Sequence, residues 1–134
     1  MALYPCGSKN IVQLASQNNL TTANIYLNKN YTDFDFIAIR IKVNDNNTVR
    51  YTSHLIPVAF IPTAASEYIY LPALQYYQNG ETELNTRPFG GTSVYLRAST
   101  SNQLEVSTHN SDPQQCVGKY FVSVTNITIL GIRL

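Results

Sequence analysis

The sequence predicts an all-β fold, an antiparallel β-sandwich of jelly-roll-like form with about eight strands. Three observations predict it. Apolar residues recur with period two, not 3.6, along most of the chain. β-Branched and aromatic residues are abundant, with 10 Tyr and 5 Phe but no Trp, as a pleated, half-buried surface favours. Short alternating runs are separated by turn-rich joints. At 134 residues the chain has the size of one domain, and residues 1–134 are expected to form a single one.

Taken in order, a short strand spans Asn10 to Ser16 and a Thr-rich strand spans Thr21 to Leu27. In the second, Ala23, Ile25 and Leu27 face one way, and Thr22, Asn24 and Tyr26 the other. Phe34 to Val43 alternates most strongly. Ile37, Ile39, Ile41 and Val43 share one face, with Arg40 and Lys42 opposite. Phe34, Phe36 and Ala38 make the start of that opposite face apolar too. The strand is therefore expected to be covered on both sides at its beginning, by a second layer or by another subunit.

Asn44 to Thr48 follows as a loop. In the next strand Val49, Tyr51, Ser53 and Leu55 oppose an outward set of Arg50, Thr52 and His54. Ala64 to Tyr70 lacks helical spacing between Pro62 and Pro72, and Pro72 to Gly80 has room for one helical turn at most. Leu74 to Gly91 is expected to be a long loop, marked by Gln78-Asn79-Gly80 and Pro88-Phe89-Gly90-Gly91. Val94, Leu96 and Ala98 then oppose Ser93, Tyr95 and Arg97. After a hairpin loop at Ser99 to Asn102, Leu104, Val106 and Thr108 oppose Gln103, Glu105 and Ser107. From Lys119 to Leu134 the apolar parity changes twice, which predicts a bulge or sheet crossing near Thr125-Asn126 and another near Gly131.

Composition narrows function. Nine Lys+Arg against eight Asp+Glu leave a net charge of +1, too little for a nucleic-acid face that must neutralise phosphates. It is equally unsuited to an anionic membrane surface. Only 13% of residues are charged, against about 25% in ordinary soluble domains. Neutral amides, hydroxyls and tyrosines supply the solubility instead, and copies repel one another weakly. No signal peptide is expected from residues 1–10, and no apolar stretch nears the roughly 18 residues of a membrane span. A chain of this length buries about 68% of its unfolded surface, so it needs neither metal nor disulfide to fold. Cys6 and Cys116 leave two readings open, a cross-link or two reduced thiols. His54 and His109 lack the close ligand pairs of a metal site, so no metal and no cofactor is implied.

Catalytic patterns are sparse. Asp33 and Asp35 stand at i, i+2 and could share a strand face, which suits a carboxylate pair. Glu81 and Glu83 fall in the polar loop. Ser53 and His54 are adjacent on a strand and so point to opposite faces, which prevents one activating the other. His109 and Asp112 come with no nucleophile elbow. A binding surface fits better: Tyr76, Tyr77, Asn79, Arg87 and Phe89 offer aromatic faces and polar groups for a glycan in one stretch.

The order of segments resembles the C-terminal β-sandwich domain of bacteriophage tail fibres and related receptor-binding tail proteins. The resemblance rests on the Thr-rich strand, on Tyr31-Thr32-Asp33-Phe34-Asp35-Phe36-Ile37 and on Ser53-His54-Leu55-Ile56-Pro57. Its most specific element is Ile127-Thr128-Ile129-Leu130-Gly131-Ile132. Around Leu14-Ala15-Ser16 this chain lacks the Trp and Gly that such proteins often carry. The resemblance implies a non-enzymatic, homotrimeric tip domain on a virion made in a host bacterial cytoplasm. Such a tip attaches the virion to a bacterial cell-surface glycan or protein, without membrane insertion. Phe34 and Phe36 are the expected subunit contacts. A structural virion protein, such as a capsid or baseplate jelly roll, would share fold and composition. A small glycan-cleaving enzyme would rest on Asp33, Asp35 or Glu81.

Overall fold

The computed structural model describes residues 10–18, 22–45, 48–77, 89–110 and 122–134. Among them eight strands form: β1 (Ile11–Asn18), β2 (Thr22–Tyr26), β3 (Phe36–Asp45), β4 (Thr48–Pro57), β5 (Ile69–Tyr77), β6 (Phe89–Thr100), β7 (Gln103–Asn110) and β8 (Val122–Ile132). They build two antiparallel four-stranded sheets, ordered β1-β8-β3-β4 and β2-β7-β6-β5. The expected all-β sandwich is what forms. β1 pairs with β8 and β2 with β7, so early and late strands nest as in a jelly roll, whereas β3-β4 and β5-β6-β7 are neighbours in sequence. Short 3₁₀ turns at Tyr31–Asp33 and Val58–Phe60 join strands.

Alternation decides the interior. Ile37, Ile39, Ile41 and Val43 of β3 meet Ile127 and Ile129 of β8 on the inner face of the first sheet. Leu71, Val94, Leu96, Leu104 and Val106 line the second. Each fully buried side chain of this kind is worth about 1.5–3 kcal/mol over exposure. The expected bulge in β8 is present: Lys42 pairs with Asn126 but Val43 with Val124, which leaves Thr125 as the extra residue. The Thr125 hydroxyl donates to the Lys42 carbonyl at 3.3 Å.

The second expected break, near Gly131, does not fall within β8: Ile127, Ile129 and Gly131 continue inward without a slip against β3, and Leu130 and Ile132 stay on the outer face. The register shift beside it, between Leu130 and Ile129, is against β1, which carries the extra residue at Leu14. Phe34 accounts for the unbroken inward run of β8. It lies before β3, just after the first 3₁₀ turn, and its ring fills the space that a side chain at position 131 would need. Phe34 is therefore not a strand residue alternating with Ile37. It closes one end of the core.

β4 inverts its expected faces. Leu55 is 61% exposed, and Val49 and Tyr51 also point to solvent, while Thr52 and His54 turn inward beside buried Ile56. The inward polar groups are satisfied by β5 across the sandwich. The Thr52 hydroxyl donates to the Ala73 carbonyl, and His54 Nε2 donates to the Pro72 carbonyl at 2.8 Å. Those carbonyls lie at a bulge, where the β5 register slips between Pro72 and Leu74. Pro72 thus sits in an edge strand at a bulge, where a missing N–H costs least. Of the stretch Pro72 to Gly80, where one helical turn had room, the described residues form strand through Tyr77, and residues 78–80 lie outside the described residues.

Candidate functional site

Of the expected binding residues, Asn79 and Arg87 lie outside the described residues. Tyr76, Tyr77 and Phe89 are not in a loop: β5 and β6 extend to pair Tyr76 with Gly90 and Tyr77 with Phe89. Turn residues at 78–80 and 88–91 outweighed the strand propensity of Tyr76-Tyr77 in the sequence. Of the expected subunit contacts, Phe34 is only 5% exposed within its own chain. Phe36 keeps part of its surface on the outer face of β3.

The carboxylates considered for catalysis are separated by the turn. Asp33 lies in the 3₁₀ segment and Asp35 precedes β3, so they do not share a strand face. The Asp35 carboxylate accepts the Leu134 N–H at 2.8 Å. Ser53 and His54 point to opposite faces of β4, as alternation requires. Glu81, Glu83 and Asp112 lie outside the described residues. Among the described residues no three His, Cys, Asp or Glu side chains gather at one point.

What the fold does assemble is an aromatic surface on the outside of the β2-β7-β6-β5 sheet. Leu71 is buried, so Tyr70 points out; Val94, Leu96 and Ala98 are buried, so Tyr95 and Arg97 point out. Leu104 and Val106 likewise turn Glu105 outward. Pairing then sets Tyr70 beside Tyr95 and Arg97 beside Glu105, with Asn24 across from Glu105. Tyr68, just before β5, completes the group. The rings of Tyr70 and Tyr95 are 5.3 Å apart and tilted by 50°, and those of Tyr68 and Tyr95 6.5 Å apart and tilted by 42°. The cluster therefore presents faces in more than one direction instead of one flat shelf.

Polar groups are fixed beside these rings. The Tyr68 hydroxyl donates to Glu105 Oε1 at 2.9 Å, and Arg97 Nη2 pairs with Glu105 Oε2. The Arg97 guanidinium also lies 5.8 Å from the Tyr68 ring centre, within cation–π range. The neighbouring Tyr68 hydroxyl is the largest influence raising the Arg97 pKa; burial opposes it and Glu105 adds to the rise. Tyr70 remains 55% exposed. Exposed aromatic faces beside a neutralised ion pair suit a ligand with apolar C–H patches and uncharged hydroxyls.

Sequence reasoning missed this cluster because its members come from three strands. The outward positions of Tyr95, Arg97 and Glu105 were legible from alternation; their meeting with Tyr68 and Tyr70 was not. The signal lay in the pair Tyr68 and Tyr70, spaced by two and flanking Ile69, which is a strand pattern. No family model, curated protein or solved structure matches this chain.

Proposed function

We propose that this chain is a non-enzymatic attachment domain that binds glycan on the outer face of the β2-β7-β6-β5 sheet. The observation that carries this is the Tyr68-Tyr70-Tyr95 cluster with its Arg97-Glu105 pair: three aromatic rings beside oriented polar groups on a rigid sheet. The ligand class is a neutral oligosaccharide, because Glu105 cancels the Arg97 charge. The biological setting comes from the segment order described above: a phage tail fibre tip that holds the virion to a bacterial cell-surface glycan. Asn79 and Arg87, which lie outside the described residues, extend the same proposal.

Within this proposal the domain acts as a homotrimer. On the outer face of the other sheet, Ile11, Ile132, Phe36 and Pro57 align in one uncharged row across β1, β8, β3 and β4. That row is the surface association would cover. The rows beyond it carry Arg40 and Lys42, whose like charges oppose closure of one such face over another. A glycan array followed by titration calorimetry tests the binding reading. Tyr70→Ala and Tyr95→Ala should each weaken a neutral oligosaccharide by about tenfold, which corresponds to about 1.4 kcal/mol. Unchanged affinity in both variants overturns it.

A further inference from the structure

The outer face of the β1-β8-β3-β4 sheet carries a second concavity, far in chemistry from the tyrosine cluster. It encloses about 340 Å³ and is lined by Gln13, Ala38, Arg40, Ser53, Thr128 and Leu130. That volume falls at the lower end of the roughly 300–1,000 Å³ of small-molecule pockets. The register explains why the sheet is hollow here. Ala38 stands between Leu130 and Leu55 in one row, and Arg40 stands between Thr128 and Ser53 in the next. Small side chains at Ala38 and Ser53 make the floor, while Leu130 and the Arg40 stem rise around it.

The polar groups of this hollow are aimed as well as present. Asn126 Nδ2 donates to Ser16 Oγ at 3.0 Å and to Asn18 Oδ1 at 2.8 Å, which uses both of its protons. Thr128 Oγ1 donates to Asn126 Oδ1 at 2.8 Å and accepts from Ser16 Oγ at 3.4 Å, so its proton is committed and one lone pair is left to accept. The Arg40 guanidinium lies 4.9 Å from the Tyr51 ring centre, which holds it over the sheet. It makes no ion pair among the described residues. Of the acidic residues whose side chains are described, Glu105 lies on the other sheet, Glu67 before β5, and Asp33 and Asp35 ahead of β3.

We infer that this hollow binds one acidic sugar residue, a hexuronate-like ring with its carboxylate on Arg40. The apolar ring face rests on Ala38 and Leu130, and ring hydroxyls donate to Thr128 and exchange hydrogen bonds with Ser53 and the Gln13 amide. The two faces differ in one respect that decides ligand charge. Arg97 is neutralised by Glu105, and Arg40 has no carboxylate partner among the described residues. The inference stands on different residues from the glycan proposal above and does not rest on it.

The test is an NMR titration of the full chain with D-glucuronate and with D-glucose at fixed ionic strength, two probes that differ only at the carboxylate carbon. Saturable shifts should appear at backbone amides around Ala38, Arg40 and Thr128, with glucuronate at least tenfold tighter than glucose. Arg40→Gln, an exposed change, should remove the preference. Ala38→Leu should abolish binding while leaving the guanidinium in place, because it fills the floor. Tyr70→Ala should leave glucuronate binding intact, which separates this site from the tyrosine cluster. Absence of saturable shifts on this sheet overturns the inference, as does undiminished glucuronate binding in Arg40→Gln or Ala38→Leu. Acetate binding as tightly as glucuronate would also overturn it, since the hollow would then be a simple anion site.

Discussion

The ring of Phe34 occupies the space that a side chain on Gly131 would fill: a Cβ at position 131 would lie 2.7 Å from the Phe34 Cγ. This contact holds one end of the sandwich shut. Phe34 is buried, Arg133 lies over its ring at 4.7 Å, and the Asp35 N–H donates to the Ile132 carbonyl at 2.9 Å. Gly131→Ala should therefore destabilise the domain by about 1–3 kcal/mol through overpacking. Phe34→Leu should cost stability alone but recover part of the loss when combined with Gly131→Ala. Denaturant unfolding of the four proteins measures that coupling. Additive effects would mean the two residues do not compete for one space.

A second expectation concerns the inverted faces of β4. Leu55→Ser removes a large apolar side chain yet should change stability by less than about 0.5 kcal/mol, because Leu55 is on the solvent side. Ile56→Ala, one residue on, should cost about 2–4 kcal/mol. His54→Ala leaves the Pro72 carbonyl without its donor and should cost about 1–3 kcal/mol. The same unfolding measurement ranks all three. A large loss in Leu55→Ser would restore the apolar-inward assignment that alternation alone suggested.

β4 also shows where sequence reasoning stops. The fold class, the inward face of β3, the hairpin between β6 and β7 and the Thr125 bulge were legible, because each follows from local period and turn chemistry. The bounds of β3 were not, since it starts at Phe36 and runs through Asn44 and Asp45, which pair with β4 where a loop from Asn44 to Thr48 was expected. β4 was not. Both of its parities carry residues that a core can accept, and the choice between them depends on two carbonyls of β5 that lie about twenty residues away. Phe34 was misread for a related reason: its partner is a missing side chain at Gly131, almost a hundred residues on. The tyrosine cluster sits between these cases. Its members' outward directions were readable, but their convergence is a property of strand order, which period-two patterns do not encode.

Tyr31 supplies a pH expectation. Its side chain is buried at the start of the first 3₁₀ turn, and desolvation raises its pKa above the ordinary 10.0. The folded state thus holds the phenol proton more tightly than the unfolded chain. Its contribution is fully present below the unfolded value and is lost as pH rises through the higher folded value. Urea midpoints recorded from about pH 9 to 11 should fall more steeply for the wild type than for Tyr31→Phe, which cannot ionise. Parallel curves would show that Tyr31 ionises as easily folded as unfolded.

Association through the apolar row is open to a direct check. Phe36 has part of its ring exposed and lies opposite Ile132 and Pro57 in register. Light scattering after size exclusion should give three times the chain mass for the wild type at micromolar concentration. Phe36→Lys should give the monomer, because a desolvated ammonium in an apolar contact is strongly unfavourable. A wild-type monomer would remove both the trimer and the role of this row.

Glu105→Gln separates the two functions that the Arg97 pair serves. Glu105 neutralises Arg97 and also accepts the Tyr68 hydroxyl, so a carboxamide preserves one acceptor oxygen while removing the negative charge. Stability should stay near wild type, since an ion pair on the outer face of a sheet contributes little. Specificity should move further. With Arg97 no longer neutralised, the tyrosine surface gains a net positive charge and should take acidic oligosaccharides that it otherwise refuses, while neutral ones bind about as before. Calorimetry with a matched neutral and carboxylated oligosaccharide reads the change directly, and added salt should weaken only the acidic ligand. If Glu105→Gln leaves the ratio of the two affinities unmoved, the charge balance at Arg97 does not set ligand choice on this face.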